Sequence, residues 1–403
     1  MQGSSGVAQP VTMAEDNPRP LKFSSRGVGF GMETGDGEAS YARNSATVQG
    51  GMLRDTGHHL TQAVHLMSLP FESQPIRIAD FGCSVGANTL SWADLTTQSV
   101  LESYRTKASL ATNSIPEIQY FFCDIPSNDF NTLFRDLDSK GETRPFFSAA
   151  VAGSFHDRLF PKGSLHIAIS TWSVQWMSKI PEAVRDVSSP AYNKGRVWVD
   201  GGSPVVAEAY AQVHRQDLLS FFAHRAYELA PGGLLFVTCP CRAEPGRPEA
   251  QTRGEFQKAS PFSGMLEDSW AELVAEGVIE PQERDSFNIP LFHTSMEEIE
   301  EAVNKTGAYE IKQLEIRRDH RYLAPGSPQE HYFKANPASF GKLVKNMVRA
   351  VYNPLVEAHL DPPRALKLWE RFEHNNTVYV QQTQNVSLSL PGTNFALVLL
   401  TRK

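Results

Sequence analysis

Cysteine is scarce, long apolar runs are missing, and positive charge never gathers into a block. Each absence removes a class of protein. Only Cys83, Cys123, Cys239 and Cys241 stand in 403 residues. That is too few for a disulfide-stapled scaffold, and all four sit in apolar, strand-like runs, so reduced core thiols are expected. Cys239-Pro-Cys241 has no second Cys or His pair at zinc-finger spacing and reads as small core residues at a strand end. No window of about 18 apolar residues is present, so no membrane-spanning helix and no membrane partner is expected. No charged start leads into an apolar stretch, so no signal peptide is read and a cytoplasmic protein is expected. Lys and Arg number 38 against 45 Asp and Glu, a net charge of -7. Without a basic face, nucleic acid is not an expected partner.

What is present is ordinary globular material. Hydrophobic residues make up 41% of the chain and aromatics 10%, enough for a full core. At roughly 100–200 residues per domain, the length fits one large domain with a lid, or two domains. Residues 1–25, rich in Gly, Ser, Pro and Gln, read as a disordered tail. A helix is expected over Gly50–Met67 from the spacing of Leu53, Leu60, Val64 and Met67. Strands are expected at Ile76–Phe81, Ile118–Cys123, Phe146–Gly153, Ser164–Ser170 and Leu234–Thr238, with helices at Thr89–Leu101 and Gln216–Leu229. Pro231-Gly-Gly233 should stop the second of these helices. Strands alternating with helices imply a mostly parallel α/β sheet. Residues 262–375 read as largely helical, and strand-like Asn394–Leu400 closes the chain. The organisation read from this is an α/β domain of 26–240 plus 376–403, interrupted by a mainly helical cap over 241–375.

Three clusters carry chemistry. The first is Asp80 at a strand end, then Gly82-Cys-Ser-Val-Gly86, then a helix. Glycines there let the backbone approach a ligand at the sheet's carboxyl edge, and Asp80 can accept hydrogen bonds. The dinucleotide fingerprint G-x-G-x-x-G is absent. The same residues also spell G-x-S-x-G, so a hydrolase with Ser84 as nucleophile is a rival reading. The second is Asp124, at the end of the next strand. A carboxylate there can accept from both hydroxyls of a ribose, or can serve as a loop acid or helix cap. The third is Ser170-Thr-Trp172-Ser-Val-Gln175-Trp176, after the fourth strand. Two indoles and an amide at a carboxyl edge make a flat apolar pocket with polar tips, or pack in the core.

Taken together, the chain resembles the SABATH methyltransferases, which methylate carboxyl groups or xanthine nitrogens of small molecules. Ser40-Tyr-Ala-Arg-Asn-Ser45 followed by Gln49 is similar to the family's S-Y-A-x-N-S…Q, and Ala79–Asn88 to its A-D-L-G-C-S-x-G-x-N. Asp124-Ile-Pro-Ser-Asn-Asp-Phe-Asn131 resembles D-L-P-x-N-D-F-N. Gly153-Ser-Phe155 with Arg158-Leu-Phe-Pro161, Ser173-Val-Gln-Trp176, Asn193-Lys-Gly195, Pro231-Gly-Gly233 and Asp285–Pro290 follow in the family's order. Trp172 stands where the family often has Tyr, and Met32-Glu-Thr-Gly35 departs from its Gly-rich start.

The resemblance implies a Rossmann-like class I methyltransferase with a helical cap, using S-adenosylmethionine. It implies a cofactor site of Tyr41, Ser45, Asp80, Asn88, Asp124, Ile125, Ser154 and Phe155, with Asp124 on the ribose and Ser154 and Phe155 flanking the adenine. Gln49 and Trp176 would grip a substrate carboxylate, with Trp172 and Gln175 lining the same pocket. A structural magnesium ion at Asn193, Asp285, Phe287 and Asn288, and a homodimer, are also implied. The expected activity is methyl-ester formation on a small organic acid; aromatic pocket residues suggest a flat ring, a short aliphatic chain also fits, and a dicarboxylic acid stays open. An N-methyltransferase acting on a xanthine-type ring is the alternative, and a protein that only senses the cofactor is a third reading. Methyl transfer from a sulfonium to a carboxylate joins two ions into neutral products, so a dry pocket favours it and no general base is needed.

Overall fold

A computed structural model describes residues 31–35, 37–68, 74–108, 116–139, 141, 144–242, 244–251, 264–318, 326–386 and 394–403. The expected tail, 1–25, lies outside the described residues.

The sheet has seven strands: β1 (Ile76–Phe81), β2 (Ile118–Asp124), β3 (Phe147–Ala152), β4 (Leu165–Thr171), β5 (Leu229–Cys241), β6 (Tyr309–Arg318) and β7 (Asn394–Arg402). Their order is β3-β2-β1-β4-β5-β7-β6. The first five in that order are parallel, and β7 runs antiparallel to both β5 and β6. Strand order reverses between β1 and β4. In an open parallel sheet the chain leaves these two strands in opposite directions, which opens a crevice at their carboxyl ends.

Alternation along β1 sends Ile76 and Ile78 to the core on one face and Ala79 and Phe81 to the core on the other. Helices α1 (Tyr41–Leu66), α2 (Ala87–Ala108) and α3 (Phe130–Ser139) cover the first face. Helices α4 (Pro204–Glu228) and α7 (Met296–Thr306) cover the second. Ser203 caps α4, its hydroxyl accepting from Val206 N, with Pro204 at the first turn. A capping box of Ser295 and Glu298 starts α7, and left-handed Gly307 ends it. A third core lies under α5 (Gly264–Ala275), α6 (Pro281–Ser286), α8 (Pro328–Ala335), α9 (Pro337–Glu357) and α10 (Pro362–Thr383).

Several expectations shift. The first helix begins at Tyr41 rather than Gly50, and α4 begins at Pro204 rather than Gln216. Strand β5 runs straight through Pro231-Gly-Gly233 from Leu229, so the turn residues sit inside a strand's start rather than between elements. The range 241–375 is not only helical. It contributes β6, which pairs with β7 along Tyr309–Arg318. Its sequence, YEIKQLEIRR, carries charge at every second or third place. Charge suits an edge strand, because it discourages pairing with another chain, and it hides the strand from a reading tuned to apolar runs. Among the described residues no helix is long and apolar enough to cross a membrane.

Candidate active site

Four segments converge where β1 and β4 diverge: the loop after β1, the end of β2, the start of α1, and the loop after β4. Gly82 has φ +80° and Gly86 φ +92°, conformations that side chains resist. A Cβ on Gly86 would stand 2.8 Å from Cα of Ala42, so α1 lies directly against this loop. A Cβ on Gly82 would collide with Ser173, from the loop after β4, and touch the Phe155 ring at 3.6 Å.

The carboxylates fall where the sheet register puts them. Asp80 is buried; its Oδ2 accepts from Thr89 Oγ1 at 2.7 Å, while Oδ1 has no partner among the described residues. Burial raises its carboxyl to about 7, opposed by the Thr89 hydroxyl and aided by neighbouring Asp124. Asp124 accepts from Ser84 N through Oδ2 and from its own neighbour Ile125 N through Oδ1, both at 2.7 Å. Burial raises Asp124 to about 6 against the pull of those two N–H groups. Asn88 Nδ2 donates to Ser45 Oγ at 2.9 Å, tying α2 to α1, and Tyr41 packs on the same core. Ser84 Oγ is buried without a partner among the described residues. A serine nucleophile needs a histidine on that oxygen, so the hydrolase reading is overturned.

Ser154 and Phe155 stand on the loop after β3. Ser154 Oγ accepts from His156 N at 3.2 Å, and Phe155 packs edge-on to Phe221. This loop is fixed from behind by an ion pair with no exposed surface on either partner. Arg225 Nε donates to Glu228 at 2.6 Å, and Arg225 Nη1 and Nη2 donate to the carbonyls of Phe155 and Asp157 at 2.8 and 2.9 Å. Glu228 in turn accepts from Leu159 N and Phe160 N. Sequence reading missed this pair, although two charges amid the aromatic run of α4 are its signal.

The loop after β4 is pinned at nearly every peptide. Trp172 takes φ +59°, and its N–H donates to Thr238 O at 2.7 Å. Its ring meets Phe395 edge-on, with centroids 6.3 Å apart. Gln175 is buried; Nε2 donates to Trp172 O, and Oε1 has no partner among the described residues. His214 Nε2 donates to Val174 O and His156 Nε2 to Trp176 O, both at 3.1 Å. Burial lowers both imidazoles, His214 to about 4, so each is the neutral donor its carbonyl partner requires. Ser178 donates twice to Asp217. The Trp176 ring lies against Tyr352 of α9, centroids 6.1 Å apart. None of these supporting residues carried a motif. Gln49 falls on α1, but its side chain lies outside the described residues.

Asn193, Asp285 and Asn288 also come together, with Phe287 between the last two in sequence. They do not fit a magnesium ion. Asp285 Oδ1 already accepts from the Arg284 guanidinium and Gly195 N, and Oδ2 from Tyr192 OH. Asn288 Oδ1 accepts from Asn193 Nδ2 at 2.8 Å and Tyr210 OH at 3.2 Å. Magnesium needs free oxygens in an octahedron, and these are taken. Among the described residues no three His, Cys, Asp or Glu side chains are grouped to hold a metal.

Comparison with known proteins agrees with the geometry. A family model described as SAM dependent carboxyl methyltransferase matches residues 28–399. Gibberellic acid methyltransferase 2 of Arabidopsis thaliana is 34% identical over 349 residues, 86% of this chain and 88% of that protein. Indole-3-acetate O-methyltransferase 1 of Oryza sativa subsp. japonica is 36% identical over 376 residues, 88% of each. A solved loganic acid methyltransferase with SAH superposes with a TM-score of 0.75 at 30% identity, covering 92% of this chain and 98% of that one. Fold, crevice and relatives converge: the chain belongs to the SABATH family, the S-adenosylmethionine-dependent carboxyl methyltransferases, and is an enzyme of that class.

Proposed function

We propose that the substrate is a small ring-bearing acid whose carboxylate is held by two uncharged donors, Gln49 and Trp176. The observation that carries this is the Trp176 indole. Its ring is fixed by Tyr352 and its carbonyl by His156, yet its N–H donates to no acceptor among the described residues. By contrast, the indoles of Trp198 and Trp369 donate to Leu291 O and Asn353 Oδ1, both at 2.7 Å. A rigid donor without an acceptor beside a crevice is ready for a ligand oxygen. Trp172, Trp176, Tyr352 and Phe395 supply flat walls, and Gln175 Oε1 can accept from a donor on the ring. The names of the relatives, which act on gibberellic, indole-3-acetic and loganic acids, support a ring rather than a short chain.

In this reading the other half of the crevice holds S-adenosylmethionine. The site fits it: Asp80 Oδ1 and Ser84 Oγ are buried and short of a partner, and the glycine loop leaves space that any Cβ would fill. Asp124 and Ile125 take the ribose side, Ser154 and Phe155 the adenine, and Tyr41, Ser45, Asp80 and Asn88 the remainder. The cofactor supplies an electrophilic methyl on a sulfonium. The chain's own residues bind, orient and exclude water. A carboxylate is ionised near neutral pH, so no side chain must remove a proton. Neutral donors fix its oxygen without the strong ground-state stabilisation an arginine would give. Positioning of this kind supplies roughly 7–11 kcal/mol of a barrier.

A homodimer and a cytoplasmic location belong to the same reading. The four buried, unpaired thiols fit a reducing compartment, and light scattering on purified protein tests the dimer. The activity test is a labelled-cofactor assay over ring acids, short-chain acids and xanthines. Methyl esters of ring acids are expected. Methylated xanthine without any ester would replace the carboxylate reading with the ring-nitrogen one.

A further inference from the structure

The cluster that fails to fit magnesium carries a cation of its own. We propose that the Arg284 guanidinium is the resident counter-ion of Asp285, standing in for a divalent metal and making this region of the fold metal-independent. Arg284 donates through Nε at 3.1 Å and Nη2 at 2.9 Å to Asp285 Oδ1. The side chains are 16% and 7% exposed, so solvent screens the pair weakly. Asp285 is the one carboxylate of the four-residue set, and it is fully engaged: guanidinium and Gly195 N on one oxygen, Tyr192 hydroxyl on the other. Gly195, at φ +77°, lets the guanidinium lie against its backbone; a Cβ there would approach Nη2 to 3.5 Å. The neutral members are satisfied by one another, with Asn193 and Tyr210 donating to Asn288. The guanidinium is covalently part of the chain, so it cannot be stripped as a metal can.

The placement matters because of what hangs from it. The cluster joins residues 192–198 to 285–292: Ile289 N donates to Val197 O at 2.8 Å, and the Trp198 indole to Leu291 O. Residues 290–292 then back the loop after β4. Met177 N donates to Pro290 O, Phe292 N to Gln175 O, and Trp176 bridges Leu291. Arg284 is therefore a positioning residue for the Trp176 loop. Only this last step rests on the proposed function; the metal-independence does not.

The test is thermal unfolding of the full chain, stripped with EDTA and then titrated with magnesium chloride, for wild type, Arg284→Met and Arg284→Lys. Wild type and Arg284→Lys are expected to melt at temperatures unmoved by EDTA or magnesium. Arg284→Met is expected to melt about 2 °C or more lower and to recover most of that loss in millimolar magnesium. A purely structural arginine would give the loss without the recovery. Three results overturn the proposal: a wild-type melt that falls in EDTA, one that rises with magnesium, or an Arg284→Met melt that ignores magnesium. If Arg284→Met yields no folded protein, calorimetry of wild type with magnesium chloride decides, and a heat of binding refutes it. Substrate is absent throughout, so failure of the acid assignment leaves these outcomes untouched.

Discussion

On the β1–β2 side of the crevice, two carboxylates stand on neighbouring parallel strands, both raised by burial, Asp124 held by two backbone N–H groups and Asp80 by the Thr89 hydroxyl. On the β4 side, two indoles and an amide stand on a loop whose every carbonyl from Trp172 to Trp176 is occupied. One half is electrostatic and set by sheet register. The other is uncharged and set by contacts from α4, α9 and residues 290–292. Under the proposed function, acidic groups gather on the side given to the cationic cofactor and are withheld from the side given to the anionic acid.

The comparison breaks most violently at the support of the first half. Arg225→Met leaves the buried Glu228 without its cation, with only the Leu159 and Phe160 N–H groups to hold it. A loss of about 3–5 kcal/mol is expected in chemical denaturation, with weaker cofactor binding in whatever folds, because the loop of Ser154 and Phe155 loses its anchor. An unchanged midpoint would mean the pair is not what fixes that loop.

Trp176→Phe attacks the second half alone. It keeps an aromatic against Tyr352 and deletes the free N–H. Turnover per unit KM is expected to fall roughly 100-fold, with affinity for the demethylated cofactor unchanged. If cofactor affinity falls in step, the two halves are not separable.

Asp124→Asn keeps an acceptor and removes the charge. Calorimetry should show cofactor affinity down roughly tenfold, in line with about 1.5 kcal/mol for a charged hydrogen bond. No change would take Asp124 out of the site.

The raised carboxyls also give a pH signature. Each favours its protonated form in the folded chain, so its contribution to stability is whole below the ordinary aspartate range. That contribution is lost as pH rises through about 6 for Asp124 and about 7 for Asp80. Cofactor-free protein should therefore melt lower near pH 8 than near pH 6, and cofactor should raise the melt more at the higher pH. A larger rise at the lower pH would show that the ionised carboxylates do not receive the ligand.

Trp172→Tyr is expected to do least. It trims the wall against Phe395 and should shift preference among acids only a few-fold, with cofactor affinity unmoved. A loss as large as that of Trp176→Phe would make Trp172 a direct ligand to the acid.

Legibility followed the same division. The first four strands lie within two residues of where periodicity put them, and Asp80, Gly82, Gly86 and Asp124 were readable as strand-end chemistry. Strand β6 was not, because an edge strand's charges mask its alternation. The supports His156, His214, Asp217, Arg225 and Glu228 were not, because each acts through the backbone of a residue 20 to 70 positions away. A motif records which residues touch the ligand; it does not record which distant donors hold the carbonyls behind them.

By itself the sequence determined the parallel sheet, the glycine loop at its carboxyl edge and the family, since these depend on local periodicity and on short motifs in order. Tertiary structure alone decided that Ser84 lacks a histidine, that Arg284 already occupies Asp285, and that the Trp176 N–H is left unpaired among the described residues. Those are facts about partners, and a partner is chosen by how the cap, α4 and the strand ends pack in space, which no run of residues can state alone.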